Sequence, residues 1–267
     1  MTADVRAAVA ANPLWYHTID LAPGVTTPGW FDLRPIVDRM PWPDVRGMRC
    51  LDVGTYDGFL AFELERRGAA EVVAIDIADH EDWDWPPRER ALGADHLRRI
   101  AGDKGRGFEI ARDALGSAVE RRAVSVYDLA PHLMGTFDVV VCGDLLLHLR
   151  DPLRALEAIN SVCTDAFLSA EQIDLVLSVV HPRRAALQLN GGGAQWFIPN
   201  LAGHARMLHV GGFDLAHRTR YAIPYGTSHP PAAPSVRSRS RGLFERAVVG
   251  ARGLATSAVL CRPMRTG

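Results

Sequence analysis

Two glycines four residues apart, in Gly54-Thr55-Tyr56-Asp57-Gly58, follow a short apolar run and precede a segment with helical spacing. Glycine lets the backbone pass close to a ligand, and the amides at the start of the next helix attract its polar groups. The spacing is not the G-x-G-x-x-G on which a dinucleotide pyrophosphate rests, and Tyr56 stands where such a loop wants glycine. A nicotinamide dinucleotide is therefore not expected. Asp76 closes the next apolar run, 22 residues after Gly54, where an acid can accept from two ribose hydroxyls; the alternative is an acid that merely ends a strand. The combination points to a nucleoside-containing cofactor held by Asp52, Gly54, Tyr56, Gly58, Asp76 and Ile77.

Further along, Ser125-Val126-Tyr127-Asp128 and Gly143-Asp144 each end an apolar run, and side chains there face the crevice beyond the carboxyl edge of a parallel sheet. Tyr127 and Asp128 are candidates to border an adenine, with Asp128 equally suited to starting a turn. His148 follows Gly143 by five residues and is placed to take a proton from a hydroxyl or amine at neutral pH. A histidine within Leu-Leu-Leu-His-Leu is equally a packing residue. His17, Glu171 and His181 compete for the role of base.

These residues need a scaffold that brings strand ends together. Met48–Val53 reads as a strand, Phe59–Arg67 as a helix with Phe59, Phe62 and Leu64 on one face, and Glu71–Asp76 as a β-branched strand. Residues 48–76 thus form a βαβ unit with parallel strands. Phe108–Leu115 reads as a helix, Ala123–Tyr127 as the third strand and Phe137–Cys142 as a fourth, apolar enough to be covered on both faces. Asp151 caps a helix starting at Pro152, and a fifth strand follows at Ala166–Ser169. Asn200–Val210 reads as a helix stopped by Gly211-Gly212, then a strand from Phe213 to Ile223. Residues 226–242 read as a Pro/Ser/Arg-rich linker and 243–260 as a short helix.

Hydrophobic residues make up 48% of the 267 and charged residues 23%, ordinary for a globular domain with its own core. No apolar run reaches the roughly 18 residues that span a bilayer, and Met1–Asn12 reads as an alanine-rich helix rather than a secretory signal. No membrane partner and a cytoplasmic location are expected. The four cysteines form no C-x-x-C pair, so no metal site is expected. A net charge of −1 gives no field for a polyanion and does not favour a nucleic-acid partner. The exception is the end of the chain, where seven arginines from Arg237 to Arg265 face Glu245 alone; such clusters bind phosphate but are also common in unstructured ends.

At five segments the chain resembles the methyltransferase family that contains the bacterial tRNA wobble-uridine 5-oxyacetate methyltransferase and carboxymethyltransferase. They are Trp15–Leu21 with Gly24, Thr27 and Gly29; Leu51–Phe59; Gly107–Glu109 with Ala111-Arg112; Leu147–Pro152; and Trp196–Asn200. The resemblance implies a Rossmann-like class I methyltransferase fold, a mainly parallel seven-stranded sheet with helices on both faces, and S-adenosylmethionine as cofactor. It implies Gly54 and Gly58 beside the methionine part, Asp76 at the ribose, Tyr127-Asp128 at the adenine, and Trp15–Gly29 folded over the site; Gly143, which opens the same crevice, is a further candidate for cofactor contact. Carboxymethyl-transferring members carry tyrosine immediately before the residue matching His148; here it is Leu147. Leucine offers no hydrogen bond to an extra cofactor carboxylate, which favours the unmodified cofactor. The upstream lysine and the preceding domain of the tRNA enzymes are not found in this sequence.

The expected organisation is a cap segment over residues 1–47, a cofactor-binding domain over 48–225 and a linker and tail over 226–267. The expected function is methyl transfer to an oxygen or nitrogen of a small molecule, a sugar or secondary metabolite, held by Tyr16, Trp30, Trp85 and Trp196. The alternatives are a tRNA wobble-uridine-modifying enzyme and a nucleotide-binding protein without catalysis. Oligomeric state leaves no mark in the sequence.

Overall fold

The computed structural model describes residues 2–189, 194–230 and 252–265. Seven strands form one sheet: β1 (Arg49–Val53), β2 (Glu71–Asp76), β3 (Glu120–Ala123), β4 (Phe137–Gly143), β5 (Cys163–Gln172), β6 (Phe213–Ile223) and β7 (Leu254–Pro263). Their order is β3-β2-β1-β4-β5-β7-β6. All pairings from β3 to β5 are parallel, whereas β7 runs antiparallel to both neighbours. This is the Rossmann-like, mainly parallel sheet that the sequence implied.

Alternate residues of the strands feed two cores. Cys50, Val72, Ala74, Val139 and Val141 face α2 (Phe59–Arg66), α4 (Arg106–Leu115) and the amino-terminal segment. Leu51, Val53, Val73, Ile75 and Val140 face α5 (Pro152–Val162) and α7 (Leu201–Val210). Burial on both faces explains why the central strands lack a polar alternation. Both expected caps are formed: the Asp151 carboxylate accepts from Arg154 N at 3.1 Å and the Asn200 side chain accepts from Gly203 N at 2.7 Å, satisfying amides that a helix start leaves free.

Two expectations are corrected. The third strand lies at Glu120–Ala123 rather than Ala123–Tyr127, because Ser125 caps a 3-10 turn over Val126–Asp128 that takes the chain out of the sheet. Its Glu-Arg-Arg sequence suits an exposed edge and hides the periodicity. The second correction is at the carboxyl end. Residues 243–251 lie outside the described residues, but Leu254–Pro263 is an interior strand, not helix or tail. The sheet therefore extends past residue 225, and linker residues 231–242 also fall outside the description.

The amino-terminal segment is tied to both ends of this scaffold. α1 (Thr2–Ala11) packs on α4, and Trp15 is buried with its indole N–H donating to Val9 O at 3.1 Å. Phe31 forms backbone bridges with His17 on one side and Tyr225 on the other. Gly29 is required here, since a Cβ would meet the His17 carbonyl carbon at 2.2 Å.

Candidate active site

The carboxyl ends of β1, β2 and β4 open into one cavity of about 490 Å³, within the size range of small-molecule sites. Gly54, Asp76, Ile77, Gly143 and Asp144 line it at these strand ends. Gly54 (φ +76°) and Gly58 (φ +90°) carry the left-handed turn between β1 and α2, and Tyr56 between them is also left-handed at φ +48°. That conformation is uncommon for a bulky side chain and marks a constrained site. Asp76 holds the turn: its Oδ2 accepts from Tyr56 N at 3.0 Å and its Oδ1 from Ile77 N at 2.8 Å. Each carboxylate oxygen accepts more than one hydrogen bond, so Asp76 keeps capacity toward the cavity.

Around Asp76 the lining is apolar and aromatic. Ile77, Val126 and Tyr127 provide a slot on the β2–β3 side, and Trp83 faces it. Lys104 enters between two rings, its Nζ 4.4 Å from the centroids of both Tyr56 and Trp83 and 3.6 Å from Asp76 Oδ1. Burial pulls the Lys104 ammonium below its ordinary range while Asp76 opposes that shift. The cover over this end is anchored by Asp84, whose Oδ2 accepts from Tyr127 Oη at 2.6 Å and from Arg150 N at 2.8 Å.

The other end is walled by the amino-terminal segment and the chain after β6. Tyr16 links the ends, its ring 5.0 Å from Tyr56, 6.1 Å from Trp30 and 5.1 Å from Phe31. Tyr225 and His229 complete the wall, each ring within 6.1 Å of Phe31. Burial and the carboxyls of Asp144, Glu171 and Asp57 raise the Tyr16 hydroxyl well above its ordinary value, so it stays a hydrogen-bond donor. Asp57 fixes this segment to the glycine turn by accepting from Tyr16 N at 2.6 Å and His17 N at 2.9 Å.

Three candidate bases have different surroundings. His148 lines the cavity, edge-on to Trp83 with ring centroids 5.4 Å apart. Its Nδ1 lies 2.9 Å from Ala194 O; a carbonyl only accepts, so Nδ1 carries the proton and Nε2 has the lone pair. Burial pushes His148 down to about 4, leaving a neutral imidazole above about pH 5. Activity is accordingly expected to show no limb near pH 6.5 that disappears in His148→Ala; a limb of that kind in the pH dependence of kcat/KM would mean a solvated imidazole. His17 also lines the cavity, pushed by burial to about 3, with Nδ1 4.0 Å from Asp57 Oδ2. Glu171 lies behind the wall: its Oε1 accepts from Leu145 N at 3.2 Å and Leu146 N at 3.1 Å, and burial followed by the neighbouring Asp144 raises it well above the carboxylate range.

Most of the residues singled out in the sequence thus converge on the cavity: Tyr16, His17, Trp30, Gly54, Tyr56, Asp76, Ile77, Tyr127, Gly143 and His148. Others do not reach it. Asp52 lies beneath the turn, 1% exposed, and burial raises its carboxyl to about 7. Gly58 packs against Phe62 and Phe108. Asp128 closes the 3-10 turn, and His181 caps α6 (Leu175–Val180) at its end. Trp85 is buried behind Trp83, its indole N–H donating to His80 O at 2.7 Å, and Trp196 donates to Asp84 O at 2.7 Å. Both tryptophans brace the wall instead of forming it. Lys104, Gln172 and Tyr225 were not singled out; the Lys104 turn between α3 (Ala94–Ala101) and α4, Gly102-Asp103-Lys104-Gly105, carries no motif that points to a site.

A sequence pattern described as a methyltransferase domain matches residues 32–219, more than half the chain. A ubiquinone biosynthesis O-methyltransferase of Neisseria meningitidis serogroup C (strain 053442) is 33% identical over 115 residues, 43% of this chain and 39% of that protein. The protein of that name from Dechloromonas aromatica (strain RCB) is 30% identical over 131 residues, 48% of this chain and 45% of its own length. The matches therefore span less than half of these relatives. Among solved structures, an S-adenosylmethionine dependent methyltransferase from Mesorhizobium loti superposes with a TM-score of 0.50 at 15% identity, over 86% of this chain and 97% of that one. The Burkholderia thailandensis 1,6-didemethyltoxoflavin-N1-methyltransferase gives 0.50 at 17% identity, over 87% and 78%. These structural likenesses concern the fold.

Proposed function

The chain belongs to the methyltransferase-domain family, and from that premise we propose that it is an S-adenosylmethionine-dependent methyltransferase acting on an oxygen or nitrogen of a small molecule. The observation that carries this is a single cavity with the glycine turn and Asp76 at one end and an aromatic chamber with a neutral histidine beside it. The residues present fit the cofactor: Asp76 has free acceptor capacity for ribose hydroxyls, Ile77, Val126 and Tyr127 offer an apolar slot for a base, and the left-handed Gly54 turn leaves room above it. When bound, S-adenosylmethionine supplies a sulfonium-borne methyl group for in-line displacement, a reaction governed by positioning.

The chain's own residues do the rest. Tyr16 donates from its hydroxyl between the two ends, Asp57 holds the cap segment 1–47 down, and the aromatic rings exclude water. His148 Nε2 accepts the proton of the methyl acceptor. Glu171 keeps Leu145 and Leu146 in place and acts by positioning. Leu147, buried and lining the cavity, favours the unmodified cofactor. The finer likeness to the tRNA wobble-uridine enzymes is the second reading, and it depends on the arginines from Arg237 to Arg265; those at 237–246 lie outside the described residues, while Arg262 stands on β7 3.7 Å from Asp165 and Arg265 donates to Cys163 O. Four free, buried cysteines suit a cytoplasmic location; no helix among the described residues is long and apolar enough to cross a membrane.

Calorimetry with S-adenosylhomocysteine tests the cofactor assignment. Asp76→Ala is expected to weaken binding roughly 10- to 150-fold, the loss of charge-assisted hydrogen bonds worth about 1.5–3 kcal/mol; unchanged affinity refutes the ribose role. His148→Ala is expected to bind the same compound as before and to lose roughly 100-fold or more in turnover. Turnover near wild type would make the histidine structural.

A further inference from the structure

Asp144 has no part in cofactor binding as assigned above, yet it lines the cavity immediately after β4. Its backbone is left-handed at φ +48°, and the turn is pinned to β5: Asp144 N donates to Ala170 O at 2.7 Å and Gln172 N donates to Asp144 Oδ1 at 2.6 Å. Non-glycine residues are held there only where surrounding contacts impose it. The carboxyl is thereby fixed in the same cavity wall that holds Tyr16, Trp30, Phe31 and Tyr225.

The charge around this end is one-sided. Asp144 and the buried Glu171 are its carboxyls, and Glu171 Oε2 has no hydrogen-bond partner among the described residues. Among those residues, the only ammonium or guanidinium lining the cavity is Lys104, which is at the Asp76 end. The amides present, Gln172 and Gln195, are bonded to each other, Gln195 Nε2 donating to Gln172 Oε1 at 2.9 Å. An anionic ligand here would meet a fixed carboxyl with no ammonium or guanidinium beside it among the described residues, and burying a like-charge pair is costly. A flat aromatic ligand with an O–H or N–H would instead stack among Trp30, Phe31 and Tyr225 and donate to Asp144.

We propose that Asp144 is a specificity-determining residue that selects uncharged aromatic methyl acceptors bearing a hydroxyl or N–H and rejects anionic ones. This refinement rests on the methyltransferase reading above. The test uses 2-naphthol and its carboxylated analogue 6-hydroxy-2-naphthoate, with binding read by naphthol fluorescence at pH 8 in the presence of S-adenosylhomocysteine. The wild-type protein is expected to bind 2-naphthol at least tenfold more tightly than the carboxylate. Asp144→Asn, which removes the charge and suits a left-handed backbone, is expected to bring the two within about threefold of each other, its fold checked by circular dichroism. Equal or tighter binding of the carboxylate by wild type, no binding of either compound, or undiminished discrimination in a folded Asp144→Asn overturns the proposal. If Asp144→Asn does not fold, the wild-type comparison alone decides. S-adenosylhomocysteine binding by calorimetry separates the two claims: retained binding with a failed naphthol result sinks only the Asp144 assignment, whereas absent binding sinks the methyltransferase reading itself.

Discussion

A chain ended at residue 252 is expected not to fold. It lacks β7, which lies between β6 and β5 and is paired with both: Val259 stands opposite Arg218 on one side and Ser169 on the other. Thr256, Ser257, Ala258, Val259 and Cys261 have no exposed surface. Removing the strand strips β5 of one partner, detaches β6 and opens both cores, since Ala258 packs in one and Val259 and Cys261 in the other. The backbone groups of β5 and β6 then lose their ladder, and buried unpaired groups cost about 1–3 kcal/mol each. A handful exceeds the roughly 5–15 kcal/mol by which a domain is stable. The expected observation is an insoluble product or one without a cooperative thermal transition. A soluble truncated chain with a wild-type melting curve would show that β7 is dispensable.

Replacing Asp57 with alanine is expected to lower stability by about 2–4 kcal/mol and to loosen the amino-terminal segment. Its carboxyl is the partner of the Tyr16 and His17 amides, and leaving two buried donors unsatisfied costs about 1–3 kcal/mol each. Part of this is offset, because burial raises Asp57 to about 7 and removing a poorly solvated carboxyl relieves that cost. For a domain of this size the change corresponds to a fall in Tm of roughly 5–15 °C. Protease cleavage within residues 12–30 is expected to accelerate at the same time, since Asp57 links that stretch to the glycine turn. Asp57→Asn keeps an acceptor oxygen and should recover most of the loss. An alanine variant with wild-type Tm and protease resistance would show that the cap is held by its apolar contacts alone.

Legibility differed between the two ends of the cavity, for a physical reason. At the Asp76 end, the chemistry is local: a strand, a left-handed glycine turn and an acid at the next strand end lie within residues 49–76, and each leaves a mark in neighbouring residue types. β1, β2, β4, α5 and β6 were legible in the same way, through continuous apolar runs or through caps such as Asp151 and Asn200. The other end is assembled from residues 16–31, 144–148, 172 and 225–229, whose proximity depends on strand order. Trp85 and Trp196 show the limit, as aromatic residues in motif regions whose indoles turn into the protein to satisfy His80 and Asp84 carbonyls.

The sequence by itself determined the fold class, the glycine turn after β1 and the acid at the end of β2, because short-range backbone geometry and apolar periodicity are written in adjacent residues. Only the tertiary structure decided that a stretch read as tail, Leu254–Pro263, is an interior strand. It also decided that Lys104 enters between Tyr56 and Trp83, that His148 turns its Nδ1 to the Ala194 carbonyl, and that Asp144 rather than Glu171 reaches the cavity. Burial and long-range pairing settle each of these, and both are properties of the packed chain, set by residues far apart in sequence.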